Sequence, residues 1–211
     1  VTAGSMAGNV TVTPSNACGS GTARTTPVST QTVPAQPSDI TGNISPCIST
    51  SQTYSVTNAA GTTFTWSVPA GWTITAGQGT NTITVTVGVT GGNIQVTPSN
   101  TCGNGTARLL AVTTTTVPAQ PSVISGSTVP CLGSSQTFSV TNEPGVTYTW
   151  IFPAGWTQTG GGTTNSIIVT VGANSGNISV TPSNTCGNGS ARTLAVTVQT
   201  PPVQTGPMLP V

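Results

Sequence analysis

The chain has 211 residues, almost no charge and no histidine. Three arginines and two acids are its only charged side chains, and the formal net charge is +1. General acid–base catalysis usually relies on histidine or on a tuned pair of carboxylates, and nucleic-acid binding needs a basic surface. We therefore predict no catalytic residues and no nucleic-acid partner.

The chain also lacks the clusters and runs that metal sites and membrane spans need. Calcium and zinc sites use grouped Asp/Glu or Cys/His ligands, whereas Asp39 and Glu143 each stand alone. No apolar run approaches the ~20 residues of a membrane helix, and the start does not read as a signal peptide. We predict no metal, no cofactor and no membrane insertion, and we interpret the chain as a window of a longer protein.

An internal repeat of 84 residues dominates what is present. Cys18, Cys102 and Cys186 keep this spacing, and so do Cys47 and Cys131. Aligned without gaps, residues 35–118 and 119–202 are identical at 54 of 84 positions. Solenoid units are usually shorter, about 20–45 residues, so a period of 84 favours a small domain with its own core. The predicted organisation is the end of a first repeat (1–34), complete repeats (35–118 and 119–202), and a linker or start of a next segment (203–211).

Each repeat alternates apolar and hydroxyl-bearing residues with the period of two that is typical of strands. Ile83, Val85 and Val87, for example, alternate with threonines. Short strands separated by Gly, Pro and Asn turns are typical of a β-sandwich, and no segment has a helical period. In the repeat 35–118 the predicted strands are 36–42, 51–57, 62–67, 82–87, 92–98 and 106–117.

The order of motifs in this repeat resembles that of a known family. The motifs are Cys47, Tyr54-Ser55-Val56, Phe64-Thr65-Trp66, Pro69-Ala70-Gly71-Trp72, Gly92-Asn93-Ile94 and Asn100-Thr101-Cys102-Gly103. They are similar to the PKD-like, immunoglobulin-like tandem repeats of giant secreted bacterial surface adhesins, of the type IX-secreted, gliding-motility kind. The resemblance implies an all-β chain of tandem immunoglobulin/PKD-like β-sandwich domains in a linear rod. It also implies an extracellular, cell-surface filament.

The cysteines leave three arrangements open. Repeated cysteines favour an oxidising, extracellular setting. Pairing within a repeat would join Cys47 to Cys102 and Cys131 to Cys186, but the two turns lie at opposite ends of an immunoglobulin-type sandwich. A strand of seven residues separates those ends by ~20 Å, and a disulfide needs Cα atoms within about 7 Å. We therefore predict an interdomain disulfide between Cys47 and Cys186, with Cys18, Cys102 and Cys131 bonded to repeats outside the window. Pairing within each repeat and free thiols are the alternatives.

Two further positions recur with the period of the repeat. Trp72 and Trp156 follow Pro-Ala-Gly turns, where a partly exposed indole would either cover the rim of the core or stack on a sugar. Arg24, Arg108 and Arg192 follow the cysteine turn, and we predict that they donate hydrogen bonds to carbonyl groups of turns or of the domain junction.

The main functional hypothesis is a structural segment of an extracellular adhesin filament, a mechanical stalk without catalysis that acts in adhesion or gliding motility. Its expected partners are neighbouring repeats of the same chain and surface polysaccharide or other cells. The alternatives are a carbohydrate-binding module that uses the two tryptophans, and a passive spacer of a secreted enzyme whose catalytic domain lies outside the window. A fourth possibility is a mature subunit whose incomplete first repeat borrows strands from a neighbour.

Overall fold

A computed structural model describes residue 4 and residues 6–202, and in that part of the chain the regular structure is entirely β-strand. The chain divides into two compact units, Val1–Thr114 and Thr115–Val211. The segment 203–211, predicted as a linker or the start of a next segment, lies outside the described residues.

The second repeat folds as two facing antiparallel sheets. One sheet has the order β5-β8-β7. In the other, the long strand β9 pairs with β6 on one side and with β11 and β10 on the other. The strands are β5 (Ser51–Ser55), β6 (Thr63–Ser67), β7 (Thr73–Ala76), β8 (Thr82–Thr86), β9 (Gly92–Asn100), β10 (Gly103–Asn104) and β11 (Arg108–Val112).

The third repeat has the same topology. Its sheets are β12-β15-β14 and a second sheet in which β16 pairs with β13, β17 and β18. The strands are β12 (Ser135–Ser139), β13 (Thr147–Ile151), β14 (Thr157–Gly160), β15 (Ser166–Thr170), β16 (Gly176–Asn184), β17 (Gly187–Asn188) and β18 (Arg192–Val196).

The incomplete first repeat forms a hairpin with the same register as the complete repeats. Strand β1 (Gly8–Val12) pairs with β4 (Arg24–Val28), and β2 (Ser15–Asn16) pairs with β3 (Gly19–Ser20). Every residue of these four strands is exposed.

Each complete repeat buries the same twelve positions, and the equivalent residues are 84 apart. Among the described residues no polar or charged side chain is classed as buried. The second repeat's core consists of Ile40, Tyr54, Val56, Phe64, Trp66, Trp72, Ile83, Val85, Val87, Ile94, Val96 and Val112. Near-complete burial of β-branched and aromatic side chains is the main stabilising contribution that this composition offers.

Tyr54 shows how the core accommodates its few polar atoms. Its ring is fully buried, and its hydroxyl donates a 2.6 Å hydrogen bond to the carbonyl of Asn43. Desolvation by burial raises the pKa of this hydroxyl above its ordinary value of 10.0, which favours the protonated form that donates the bond. In the third repeat the aromatic residues are exchanged, with Phe138 in place of Tyr54 and Tyr148 in place of Phe64.

The sequence prediction is wrong in several places. Residues 36–42 do not form a strand. Pro37 cannot donate a ladder hydrogen bond, and the segment makes one isolated bridge, between Thr41 and Ser55. The strand β7 was not predicted, since it is short and mostly exposed. The last strand is also shorter than predicted, because after Val112 the backbone of Thr113 turns to donate to the carbonyl of Ile44.

The equivalence of the hairpins gives a matched test of core packing. Ile94 is fully buried in β9, whereas Val10 occupies the equivalent position of β1 and is 58% exposed. Ile94→Ala should lower the free energy of unfolding by about 2–5 kcal/mol, since it removes buried methyl groups and leaves a cavity. Val10→Ala should change it by less than about 0.5 kcal/mol. Denaturant unfolding followed by tryptophan fluorescence measures both, and equal effects would contradict the assignment of the core.

Candidate functional site

Several polar contacts that recur in both complete repeats involve the segment that opens the repeat. We define this opening strap as residues 31–38 in the second repeat and 115–122 in the third. The strap overlaps the predicted strand 36–42, but in each complete repeat it is attached to the turn and strand that end the repeat. The contacts below show how this attachment is made.

An asparagine two residues before the cysteine fixes both the cysteine turn and the strap. Asn100 Oδ1 accepts a hydrogen bond from the backbone N–H of Cys102 at 2.8 Å, and Asn100 Nδ2 donates to the carbonyl of Thr32 at 2.7 Å. Asn184 makes both equivalent bonds in the third repeat, at the same distances. In the first repeat Asn16 makes the turn bond at 2.9 Å, so the turn forms from local contacts alone.

The repeated arginine holds the strap from the other side. Arg108 donates from Nε and Nη2 to the carbonyl of Pro37, at 3.2 and 3.1 Å. Arg192 Nε donates to the carbonyl of Pro121 at 3.1 Å. A guanidinium suits this place because its planar fork presents several donors in a fixed geometry. Arg24 lies in the exposed hairpin of the first repeat.

A glutamine and a glycine complete the attachment. Gln36 Nε2 donates to the carbonyl of Ala107 at 2.8 Å, and Gln120 makes the same bond in the third repeat. Gly105 packs so closely on the strap that a Cβ there would collide with the carbonyl oxygen of Pro34. The strap is therefore part of the folded repeat and not a free connection.

The cysteines fall into two chemical states. Cys47 and Cys186 are disulfide-bonded, whereas Cys18, Cys102 and Cys131 are exposed free thiols. Neither Cys102 nor Cys131 is bonded to another cysteine of the described residues. The Cys102 thiol instead donates to the carbonyl of Gln31 in the strap, at 3.3 Å.

The turn that carries Cys47 is tightly specified. Thr50 Oγ1 donates to the carbonyl of Cys47 at 2.6 Å, and Ser49 adopts a left-handed backbone with φ of 61°. Gly133 occupies the equivalent position in the third repeat, with φ of 76°. Glycine adopts this conformation at no steric cost, whereas serine does not. The conformation is thus kept although the residue differs.

The two tryptophans after the Pro-Ala-Gly turns correct the expectation of partial exposure. Trp72 and Trp156 are 7% and 6% exposed. Their indole N–H groups donate to the carbonyls of Thr90 and Asn174, at 2.8 and 2.9 Å, and the Trp72 ring packs 6.3 Å from that of Tyr54. Sugar stacking needs an accessible ring face, and these buried rings do not present one.

One polar residue with a structural role was missed from the sequence. Gln78 Oε1 accepts from the backbone N–H of Trp66, and Gln78 Nε2 donates to the carbonyl of the same residue, both at 2.9 Å. The sequence does mark this residue: Gln78 has a long amide side chain and stands between Gly77 and Gly79, in a turn that otherwise contains small residues.

The described residues contain no cluster of three or more His, Cys, Asp or Glu side chains that could hold a metal ion. A shallow groove of about 250 Å³ lies beside the strap of the second repeat, lined mainly by proline, alanine and hydroxyl-bearing residues together with Phe64. The corresponding groove of the third repeat, about 210 Å³, includes Glu143. In the part of the chain described, no helix has the length and apolar character to cross a membrane.

Comparison with known proteins identifies the domain type. A family model described as a PKD-like domain matches residues 33–112 and 117–196. The chain belongs to this PKD-like domain family. No curated protein matches the chain.

Solved structures of tandem β-sandwich domains are similar at low identity. The Escherichia coli adhesin FdeC is 20% identical, over 93% of this chain and 75% of that chain, with a TM-score of 0.47. Domains A168–A170 of titin are 16% identical, over 92% of this chain and 75% of that chain, with a TM-score of 0.49. A C-terminal fragment of intimin was solved in complex with the intimin-binding domain of the translocated intimin receptor. It is 13% identical, over 76% of this chain and 64% of that chain, with a TM-score of 0.44.

The strap contacts give a prediction for the PKD-like repeat. Arg108→Ala should lower the free energy of unfolding by about 1–3 kcal/mol, because it removes two charge-assisted hydrogen bonds to Pro37. Asp39 also lies 3.3 Å from Arg108, but its side chain is 91% exposed. Asp39→Val, which introduces the residue of the third repeat, should therefore change stability by less than about 0.5 kcal/mol. Chemical denaturation of the full chain measures both; a larger loss for Asp39→Val would mean that the ion pair and not the strap contact matters.

Proposed function

We propose that this PKD-like chain is a structural segment of an extracellular, cell-surface adhesin filament, used in adhesion or gliding motility. Its role is that of a mechanical stalk without catalysis. The observation that carries the proposal is the oxidation pattern, in which Cys47 and Cys186 are disulfide-bonded and the other three cysteines are exposed thiols. Stable disulfides are characteristic of oxidising compartments, which supports a location outside the cell.

Within this proposal, Cys47 and Cys186 bond to each other and clamp consecutive repeats together. Because the repeat is 84 residues long, we expect the remaining cysteines to pair between repeats in the same way. Cys131 is equivalent to Cys47, whereas Cys18 and Cys102 are equivalent to Cys186. Each would bond to a repeat outside this window. A filament built in this way has two connections at every junction, the backbone and a disulfide, and both carry load.

The surface chemistry supports contact with other surfaces. Only 2% of the residues are charged, and the exposed strand faces consist mostly of Thr, Ser and Asn. A near-neutral surface avoids long-range repulsion from like-charged cells. The partners we propose are neighbouring repeats of the same chain, surface polysaccharide and other cells.

Single-molecule stretching tests the clamp. A bond between residues 47 and 186 keeps the 139-residue span between them from extending. Reductant, or Cys47→Ser, should therefore add roughly 470 Å to the fully stretched length, at ~3.4 Å per residue. Cys131→Ser is the matched control and should add nothing. Two smaller gains of roughly 190 Å each on reduction would indicate pairing within repeats and would overturn the clamp.

Labelling of intact cells tests the location. Cells that express the full-length protein should bind an antibody raised against this chain without permeabilisation, and external protease should remove the signal. Removal of the repeats from the full-length protein should lower attachment of the cells to a polysaccharide-coated surface. Labelling that requires permeabilised cells would contradict the proposed location, whatever the disulfide pairing.

A further inference from the structure

The outer edge of β6 in the second repeat is closed by the turn that follows β7. Trp66 is in register with Val96 of β9, and its backbone N–H and C=O point away from β9. There the N–H donates to Gln78 Oε1, and the C=O accepts a hydrogen bond from Gln78 Nε2. Phe64, two residues earlier, exchanges both of its backbone hydrogen bonds with Gly79, at 3.2 and 3.1 Å. This edge therefore has no unpaired group at either residue.

In the third repeat the same edge is open at Trp150. Gly162 stands where the second repeat has Gln78, so the side-chain amide is missing. Trp150 keeps the register of Trp66, opposite Val180. The N–H of Tyr148 donates to the carbonyl of Thr163 at 2.9 Å. The C=O of Tyr148 and both backbone groups of Trp150 have no hydrogen-bond partner among the described residues.

An apolar side chain accompanies this open edge. Ile151 of β13 is 62% exposed, and the equivalent residue of the second repeat is Ser67. Natural sheets usually protect an exposed edge with lysine, proline or a bulge. Strand β13 has the sequence TYTWI, which contains none of these protecting residues, and its pairing with β16 is regular.

We propose that β13 is a strand-addition interface that pairs antiparallel with β13 of a second copy of this chain. A residue whose N–H and C=O both point outward can exchange two hydrogen bonds with the same residue of another copy across a two-fold axis. Trp150 is such a residue. In this register, Ile151 lies opposite Thr149 of the second copy, so the exposed isoleucine gains a cross-strand neighbour.

The choice of a second copy rests on self-complementarity and on charge. Trp150 offers one donor and one acceptor, as the same edge of another copy does. The side-chain amide of Gln78 shows that the equivalent position of the second repeat accommodates such a donor–acceptor pair. The strand carries no charged residue, so two copies approach without like-charge repulsion. The interface uses residues of the third repeat alone and does not depend on the proposed adhesive role.

An exchange of turns between the two repeats tests this interface. Gly162→Gln together with Thr163→Gly gives the third repeat the Gly-Gln-Gly-Thr turn of the second. Gly162 has a left-handed φ of 54°, whereas in the equivalent pair of the second repeat, Gln78 and Gly79, the left-handed residue is Gly79, with φ of 92°. Thr163→Gly therefore lets the turn adopt the backbone of the second repeat, in which glutamine is not left-handed. The background is the full chain with Cys18, Cys102 and Cys131 changed to serine, so that disulfide-linked dimers do not contribute. Sedimentation velocity over a concentration series should show reversible dimers for the parent chain and an association at least about tenfold weaker for the turn variant.

Three controls keep the result interpretable. Ile151→Lys leaves the turn unchanged and should weaken association by a similar factor, whereas Ser67→Lys at the equivalent position should have no effect. The reverse exchange, Gln78→Gly with Gly79→Thr, opens a second edge and should produce species larger than dimers. Amide exchange at Trp150 should slow as the concentration of the parent chain rises. A parent chain that stays monomeric at its highest soluble concentration, or a turn variant that dimerises as strongly as its parent, would overturn the proposal.

Discussion

Each complete repeat depends on the burial of one apolar layer between two small sheets. The twelve residues of that layer are nearly inaccessible to water, and equivalent positions supply them in both repeats. An isolated two-stranded hairpin is at best marginally stable in water, and a small sheet needs a covered apolar face. The facing sheets therefore form stable domains only together, and the turns and straps keep their geometry because this layer fixes the strands that they join.

The shortage of charge determines how the rest of the repeat is held. Neutral amides and hydroxyls make most of the side-chain contacts at turns and straps, as Asn100 does at the cysteine turn and Gln36 does at the strap. Such bonds depend little on salt or pH compared with ion pairs. The repeated arginine is the exception, and it is used on backbone carbonyls, where a planar group with several donors has an advantage over lysine.

The strands with strict alternation were predictable because a buried layer imposes a period of two. Ile83, Val85 and Val87 show this pattern, and all three are buried as expected. Residues 36–42 were predicted as a strand, but Gln36 donates to the carbonyl of Ala107 and the carbonyl of Pro37 accepts from Arg108, and both partners lie 71 residues away. Burial of Trp72 likewise depends on the carbonyl of Thr90, a contact that local pattern does not encode.

Contacts made by side chains with backbone edges are the least visible in the sequence. The side-chain amide of Gln78 makes the two hydrogen bonds that a neighbouring strand would make with Trp66. The alternation of apolar and polar residues does not predict such a contact. The internal repeat supplies the missing information, because the contrast between Gln78 and Gly162 is informative once the fold aligns them. Comparing the repeats thus substitutes in part for comparing homologues.

The exposed hairpin of residues 8–28 has a consequence for the order of folding. Its register and its asparagine turn match those of the complete repeats although its side chains face water. Local pairing across about 20 residues closes a short loop, whereas Ser51 and Thr86 must meet across 35 positions, and closing longer loops slows folding. Closing the last hairpin of each module therefore costs less chain entropy than pairing its earlier strands. For a chain that leaves the ribosome from its N-terminus, each module stays unfinished until its last quarter is made.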